Sequence, residues 1–493
     1  MAGTEAPRPS GVARGNASAL AQELRSLPGV VEVLERESEL FPYESDGLTL
    51  LRESPALVVF PRTTEAVSAL VSCCNRHGVP FLPRGAGTGL SGGATPVPGS
   101  VLIECSRMSR ILEIDATNRT ATVEPGLVNQ HLSDAVAPLG LCYAPDPSSQ
   151  TACTIGGNVA ENSGGPHTLK YGTTSPHVLA IEVVLPDGSV TTLGRRDGHG
   201  VGYDLRGAFV GSEGTLGIAT AVTVRLVPIP QQVATLLASF RELIPACETV
   251  SEIIGAGIVP AALELLDDRT IAAIEDSVFA AGYPREARAV LLVELDGSEP
   301  AVAAESRRLT EICSHHDAIE VRLARDEAER QALWRGRKGA FGAMGRLAPD
   351  LYVHDAVVPR TRLPEVVARI NRAAEQRGVR IANILHAGDG NLHPNIPFDR
   401  RDPAELERVR EMGREILEIC VEVGGVLSGE HGIGIEKRDY MHLLYSDADL
   451  EPMRWLHQTF DPNDVCNPGK VIPQPRACTE SNPRHRGYEK VSF

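Results

Sequence analysis

The apolar positions of this chain change their period several times, and each change marks an element. "SALAQELRSL" (Ser18–Leu27) has helical spacing, whereas "ALVVFP" (Ala56–Pro61) is a short β-branched run stopped by proline, which predicts a strand. In "TTEAVSALVSCCNRHG" a threonine cap at Thr63 or Thr64, apolar positions three and four apart, and a terminal Gly78 predict a complete helix. "VPFLPRG" and "VLIECSRM" then predict strands on either side of a glycine-rich loop, and "GSEGTLGIATAVTVRLVP" predicts a further strand pair. The first region is therefore α+β. From about Gln231 strands alternate with amphipathic helices, as in "RAVLLVELDG" followed by "PAVAAESRRLTEICSHH", the pattern of a sheet covered by helices and of a second domain.

The totals narrow the class. A chain of 493 residues with 42% hydrophobic content exceeds one ordinary core, so two or three domains are expected. A net charge of −16 opposes nucleic acid and anionic membranes at long range. With no signal core at Met1–Asn16 and no long apolar run, a cytoplasmic location is expected, peripheral membrane association being the alternative. Ten scattered cysteines without a CxxC pair oppose a disulfide scaffold, a cysteine-bound zinc or an iron–sulfur cluster in this chain. The polar, breaker-rich 476–493 stretch is expected to be a tail.

"PRGAGTGLSGG" contains a formal GxGxxG from Gly87 to Gly92, but Gly93, Pro96, Pro98 and Gly99 forbid the helix that a dinucleotide fingerprint must open. What remains is a strand–loop–strand whose glycines let backbone N–H groups form an anion nest, with Arg84, Thr88 and Ser91 as donors; the competing reading is a flexible surface loop. Asp146–Thr174 reads as a second long loop of small, donor-rich residues. It suits a flat heteroatom-rich ring with a ribityl chain, through Gly156, Gly157, Gly164 and Gly165 and through Ser149, Thr151, Asn158 and Asn162.

"IANILHAGDGNLHPNIPF" holds too many breakers for a helix and predicts a hairpin. With Asp389-Gly390 as a two-residue turn, His386 faces His393 about 5 Å away, and Asn395 projects from the same face. Two histidines make a weak metal site, so a third ligand is needed. "GEHGIG" supplies Glu430, and two histidines with a carboxylate suit Zn²⁺, Mn²⁺ or Fe²⁺ with open positions for substrate. The competing reading of Glu430-His431 is a loop salt bridge. In "WRGRKGAFGAMGR", Arg335, Arg337 and Lys338 offer a carboxylate clamp or, alternatively, an exposed basic face.

Taken together, "PRGAGTGLSGG", "TIGGNVAENSGG", "KYG", "GSEGTLGI", "HAGDGNLHPN", "GGVLSGEHGIGIEK" and "DPNDVCNPGK" resemble the FAD-linked D-2-hydroxyacid dehydrogenases of the vanillyl-alcohol oxidase and p-cresol methylhydroxylase superfamily, of the glycolate oxidase D subunit and D-lactate dehydrogenase type. The resemblance runs from Phe41 to Ile472. It implies an α+β fold: an N-terminal segment 1–40, a two-subdomain FAD-binding domain 41–230, a cap domain 231–455 with a large antiparallel sheet, and a return to the FAD site over 456–475. It also implies FAD held by Arg84, Gly85, Ala86, Gly87, Thr88, Gly89 and Ser91, by Asp146, Pro147, Ser149, Thr151, Gly156, Gly157, Asn158, Asn162, Gly164, Gly165, Tyr171 and Gly172, and by Glu213, Gly217, Ile218 and Asn467. Thr88 stands where members with covalent flavin carry histidine, so the FAD is expected to be non-covalent.

The same resemblance makes His386, His393 and Glu430 the ligands of a divalent metal, zinc or manganese. Asn395 and Arg337 become substrate contacts and His431 the base. Phe341 and Val353 stand where relatives handling larger dicarboxylic hydroxyacids carry polar contacts, which favours a small monocarboxylate such as glycolate or D-lactate. The expected partners are the hydroxyacid and a separate electron acceptor, protein or quinone, such as an iron–sulfur subunit; nucleic acid is not expected, and a homodimer is compatible. A same-fold alkyl-transferase and a non-catalytic flavin-holding subunit are the rival readings.

Overall fold

In the computed structural model, which describes residues 17–198 and 200–474, the helix read from "TTEAVSALVSCCNRHG" runs Thr64–His77. Thr63 Oγ1 accepts the Ala66 N–H at 3.2 Å and Gly78 closes the helix at φ +64°, so both ends are satisfied by the residues that announce them. Val67, Leu70, Val71 and Cys74 form its buried stripe. Met1–Asn16, His199 and residues 475–493, which include the 476–493 tail, lie outside the described residues.

The chain divides into two compact units. The first comprises residues up to Ser163, Thr173–Pro228 and the chain from Glu430 onward; the second comprises Gly164–Gly172 and Ile229–Gly429. In the first unit a four-stranded sheet has the order Val30–Leu34, Leu57–Pro61, Val101–Glu104, Phe81–Arg84. Its outer pair is antiparallel and the rest parallel. Leu57–Pro61 and Val101–Glu104 are buried along their whole length, as strands covered on both faces must be. A five-stranded antiparallel sheet follows the order Ile111–Asp115, Thr120–Val123, Ile218–Arg225, Val178–Val184, Val190–Gly194. The glycine-rich stretch is a loop between Phe81–Arg84 and Val101–Glu104, and no helix follows it, as its prolines require.

The second donor-rich stretch is not wholly a loop. It contains the helices Ile155–Glu161 and Thr168–Tyr171. Thr154 caps the first by accepting the Gly157 N–H at 3.2 Å, and Asn162 ends it at φ +52°. Gly156 packs so closely on Pro125 that a Cβ would come within 2.6 Å of that ring, so its glycine serves helix packing.

The second unit is built on a large antiparallel sheet, as expected. Its order is Glu320–Leu323, Gln232–Phe240, Ala289–Gly297, Ala262–Asp267, Ala382–His386, Asn391–Phe398 and Asp350–Val353, with Ala356–Val357 also pairing to Asn391–Phe398. Helices Leu243–Gly255, Asp268–Glu275 and Glu299–His315 alternate with the early strands. No helix among the described residues is long and apolar enough to cross a membrane.

Candidate active site

The hairpin forms, but with a different turn. Its register pairs His386 with Asn391, Ile384 with His393 and Ala382 with Asn395, so the loop is Ala387–Gly390 and not the two residues Asp389-Gly390. The cause lies outside the hairpin: Gly388 N–H donates to the Leu263 carbonyl at 3.1 Å, which draws the loop onto the neighbouring strand. Gly390 sits at φ +76° with the Val358 carbonyl 2.1 Å from where a Cβ would stand. The histidines are therefore diagonal neighbours on one face, with ring centroids 5.1 Å apart and planes at 89°. Asn395 shares that face, and Asn391, which the sequence reading passed over, joins them. All four are buried.

What orients the rings was not foreseen. Glu264 lies on the adjacent strand, where the Leu265–Leu385 register continues to place it opposite His386. Its Oε1 is 2.7 Å from His386 Nδ1, a contact that places the proton on that nitrogen and leaves the lone pair on Nε2. His393 Nδ1 is fixed in the same way by the His354 carbonyl at 2.9 Å. Burial would raise the Glu264 pKa, but the Arg337 and His386 charges beside it hold the carboxyl below its ordinary range.

Arg337 reaches the site from helix Glu327–Lys338, which Asp326 caps through the Glu329 N–H at 2.8 Å. Arg330, Trp334 and Arg337 share one helix face by their spacing of four and three. The first two meet Glu294 at 3.1 and 2.5 Å. Arg337 is fully buried, and its Nε donates to Glu264 Oε2 at 2.6 Å. It is therefore no exposed basic face; Nη1 has no hydrogen-bond partner among the described residues. Arg335, by contrast, is exposed. Asn395 Nδ2 donates to the Ala382 and His393 carbonyls, and its Oδ1 is likewise buried without a partner among the described residues. Val353 pairs directly with Asn395, and the Phe341 ring stands 6.4 Å from that of His393. Asp355 accepts the Ser428 hydroxyl at 2.5 Å and the Gly429 N–H at 3.0 Å, anchoring the backbone immediately before Glu430.

In the first unit, Glu430 and His431 open the returning segment. Their Oε1 and Nε2 are 4.0 Å apart, too far for a hydrogen bond. Glu213 does something the sequence reading did not assign to it: its carboxylate accepts the N–H groups of Ile433 and Gly434, each at 2.7 Å. Glu161 joins it beneath Gly432, where a Cβ would come within 2.5 Å of Glu161 Oε2 and 2.7 Å of Glu213 Oε1. Burial pushes Glu213 up to about 7 despite the two amides, and burial together with the Glu213 charge raises Glu161 well above the carboxylate range. The pair therefore holds a proton near neutral pH.

The glycine loop is braced from below. Arg84 Nη1 donates to the Ser45 carbonyl at 2.9 Å, and a Cβ at Gly87 would strike the Arg84 guanidinium. Asn467 Nδ2 donates to the Gly93 and Glu213 carbonyls at 2.9 and 2.7 Å, and Lys470 Nζ to Gly92 and Thr95. Among the described residues, Ser91 Oγ, Thr95 Oγ1 and Asn467 Oδ1 are buried without hydrogen-bond partners, as expected of a cradle whose ligand completes it. Of the other predicted cofactor contacts, Asn158 is held by Asn129 and Cys153, and Asn162 Oδ1 accepts the Ser175 N–H. Gly217 opens the strand that starts at Ile218, with φ +137°. Gly164, Gly165, Tyr171 and Gly172 belong to the second unit, where Tyr171 Oη donates to Asp296.

Two family models match this chain: the FAD binding domain over residues 55–194 and the C-terminal domain of FAD linked oxidases over residues 229–471. The glycolate oxidase subunit GlcD of Escherichia coli (strain K12) is 48% identical over 95% of this chain and 93% of its own length. The mitochondrial D-lactate dehydrogenase (cytochrome) of Arabidopsis thaliana is 32% identical over 86% of this chain and 74% of its own length. The crystal structure of p-cresol methylhydroxylase with substrate bound superposes with a TM-score of 0.80 at 20% identity, covering 94% of this chain and 98% of that one, and so shares the fold. The cradle and the histidine hairpin thus stand in an FAD-linked oxidoreductase that belongs to the FAD linked oxidase family.

Proposed function

We propose that the chain oxidises a small D-2-hydroxyacid, glycolate or D-lactate, to the 2-oxoacid and delivers the electrons to a separate acceptor. The observation that carries this reading is the pair of buried imidazoles, His386 oriented through Nδ1 by Glu264 and His393 through Nδ1 by the His354 carbonyl, which leaves each Nε2 available as a ligand atom. Those two nitrogens and the Glu430 carboxylate would hold a divalent metal, zinc or manganese, which would polarise the substrate hydroxyl. Arg337 Nη1 and Asn395 Oδ1, two buried polar atoms without hydrogen-bond partners among the described residues, suit the substrate carboxylate and hydroxyl. Val353 opposite Asn395 and Phe341 beside His393 contribute apolar surface there, which favours a short side chain. His431, held by the loop that Glu213 anchors, takes the hydroxyl proton as the C2 hydrogen leaves with its electron pair. FAD, non-covalent because Thr88 offers no attachment, supplies the hydride acceptor when bound.

The cysteines form no iron–sulfur motif, so re-oxidation falls to a partner: an iron–sulfur subunit, a cytochrome, a quinone or an electron-transfer flavoprotein. The name of the relative GlcD, a subunit, supports such an assembly. A cytoplasmic protein working at the membrane periphery suits this exchange. The test is anaerobic mixing of the holoprotein with a panel of D- and L-2-hydroxyacids while flavin absorbance is followed. Bleaching by short D-hydroxyacids or glycolate is expected; no bleaching by any member overturns the reading.

A further inference from the structure

The helix Asp447–Phe460 ends in a group that the oxidation chemistry does not use. His457 lies one turn before its end, Asp461 is its C-terminal cap, and Asp464 follows at φ +51°. One ligand atom from each residue falls within 4.8 Å of the others, and His457 Nε2 is 3.9 Å from Asp464 Oδ1. Asp461 is 2% exposed. Its Oδ2 accepts the Val465 and Cys466 N–H groups at 2.8 Å each, while Oδ1 is buried with no hydrogen-bond partner among the described residues. The charges acting on this carboxyl are those of His457 and Asp464, so two carboxylates face one imidazole. A buried acceptor in that position is costly unless a cation meets it. The helix C-terminus adds negative potential of its own.

We propose that His457, Asp461 and Asp464 form a divalent-cation site of the zinc class, separate from the histidine hairpin, which clips the end of this helix to the segment carrying Asn467. One imidazole and two carboxylates are ligands of that class, leaving a position for water. Tetrahedral ligands about 2.0–2.1 Å from zinc stand roughly 3.3 Å apart, so the 3.9 Å between His457 and Asp464 must close by about 0.6 Å. Both side chains reach solvent and can make that movement, while Asp461 is fixed by its two amides. The consequence reaches the cofactor cradle. Asn467 directly follows the backbone that Asp461 holds, and its side chain secures Gly93 and Glu213. A cation at the clip therefore restrains the segment that closes the FAD cradle.

The experiment uses FAD-loaded full-length protein, stripped with a chelator and re-equilibrated with Zn²⁺ alone. His457→Gln and Asp464→Asn are compared with wild type; Asp461 is kept because its caps support the fold. Any metal at the hairpin is common to all three proteins and cancels. We expect each variant to hold one equivalent of Zn²⁺ less than wild type, and Zn²⁺ to slow FAD release severalfold in wild type but not in the variants. At Zn²⁺ one hundredfold above the clip's Kd, the folded-to-unfolded ratio of wild type should rise about 100-fold more than that of the variants. Equal zinc content in variants and wild type overturns the site. FAD release in wild type that is indifferent to Zn²⁺ overturns its link to the cradle.

Discussion

Replacing Glu264 by glutamine removes one charge and almost no volume, at a place where both partners of an ion pair are fully buried. Arg337 Nε and Nη2 lie 2.6 and 2.5 Å from Glu264 Oε2, and His386 Nδ1 lies 2.7 Å from Oε1. Charge centres about 4 Å apart interact by about 4 kcal/mol at an effective dielectric near 20, in line with the roughly 3–5 kcal/mol lost when one partner of a buried pair is removed. Glutamine can still accept from His386 through its carbonyl, but it turns an NH₂ toward the guanidinium, so Arg337 is left as an uncompensated buried cation. Affinity for the proposed metal should fall on its own account by about 10–100-fold, because a neutral amide orients the imidazole and raises its basicity less than a carboxylate does. The two effects separate in a double variant. Glu264→Gln with Arg337→Met should recover most of the stability, since an apolar replacement of a buried pair is close to neutral, yet the metal affinity should stay low. Urea unfolding with fluorescence reads the first quantity and competition of Zn²⁺ against a chromophoric chelator reads the second. A single variant that loses less than about 1 kcal/mol and binds metal as tightly as wild type would refute the arrangement.

His431→Asn should slow anaerobic flavin reduction by about 10²-fold or more with FAD still bound, and reduction at the wild-type rate sinks its proposed role as base. Gly390→Ala places a methyl 2.1 Å from the Val358 carbonyl at φ +76°, so the urea midpoint should fall by the equivalent of about 1–3 kcal/mol; an unchanged midpoint would mean that the loop relaxes freely. Glu213 has a folded-state pKa of about 7 against an ordinary 4.5, so its contribution to stability is fully present below pH 4.5 and is lost as pH rises through about 7. The melting temperature of wild type should therefore decline from pH 5 to pH 8, and Glu213→Gln should flatten that decline. Parallel pH profiles for the two proteins would show that Glu213 does not carry the proton.

Helix Thr64–His77 was legible because everything that makes it lies within sixteen consecutive residues: a cap, an apolar stripe and a left-handed glycine. The histidine hairpin shows where such local reasoning stops. Its existence and its convergent face followed from breakers and alternation, but its register depended on Gly388 bonding to Leu263, a residue far away in sequence. The error was harmless to the chemistry for a definite reason. Moving the pairing so that His386 faces Asn391 instead of His393 shifts it by two positions along the strand, and a shift of two preserves the face on which every side chain sits. A shift of one would have sent His393 to the opposite side.

Two acids now central to the site had partners that the sequence could not name. Glu264 is the single acid in the apolar run "AALELL", and such a residue must find a buried partner. That signal announces a partner without naming it, because Arg337 and His386 arrive from elements that only the assembled sheet brings together. Glu213 is marked by its motif as a cofactor contact, and its carboxylate also grips two amides of the His431 loop more than two hundred residues downstream. In both cases the residue type was informative and the partner was not. The sequence reading therefore found the groups proposed to meet substrate and metal, which sit in glycine-rich and histidine-rich motifs. It left Glu264 unnamed and Glu213 without its amide partners, since an acid within an ordinary strand or turn carries no local mark of the group it serves.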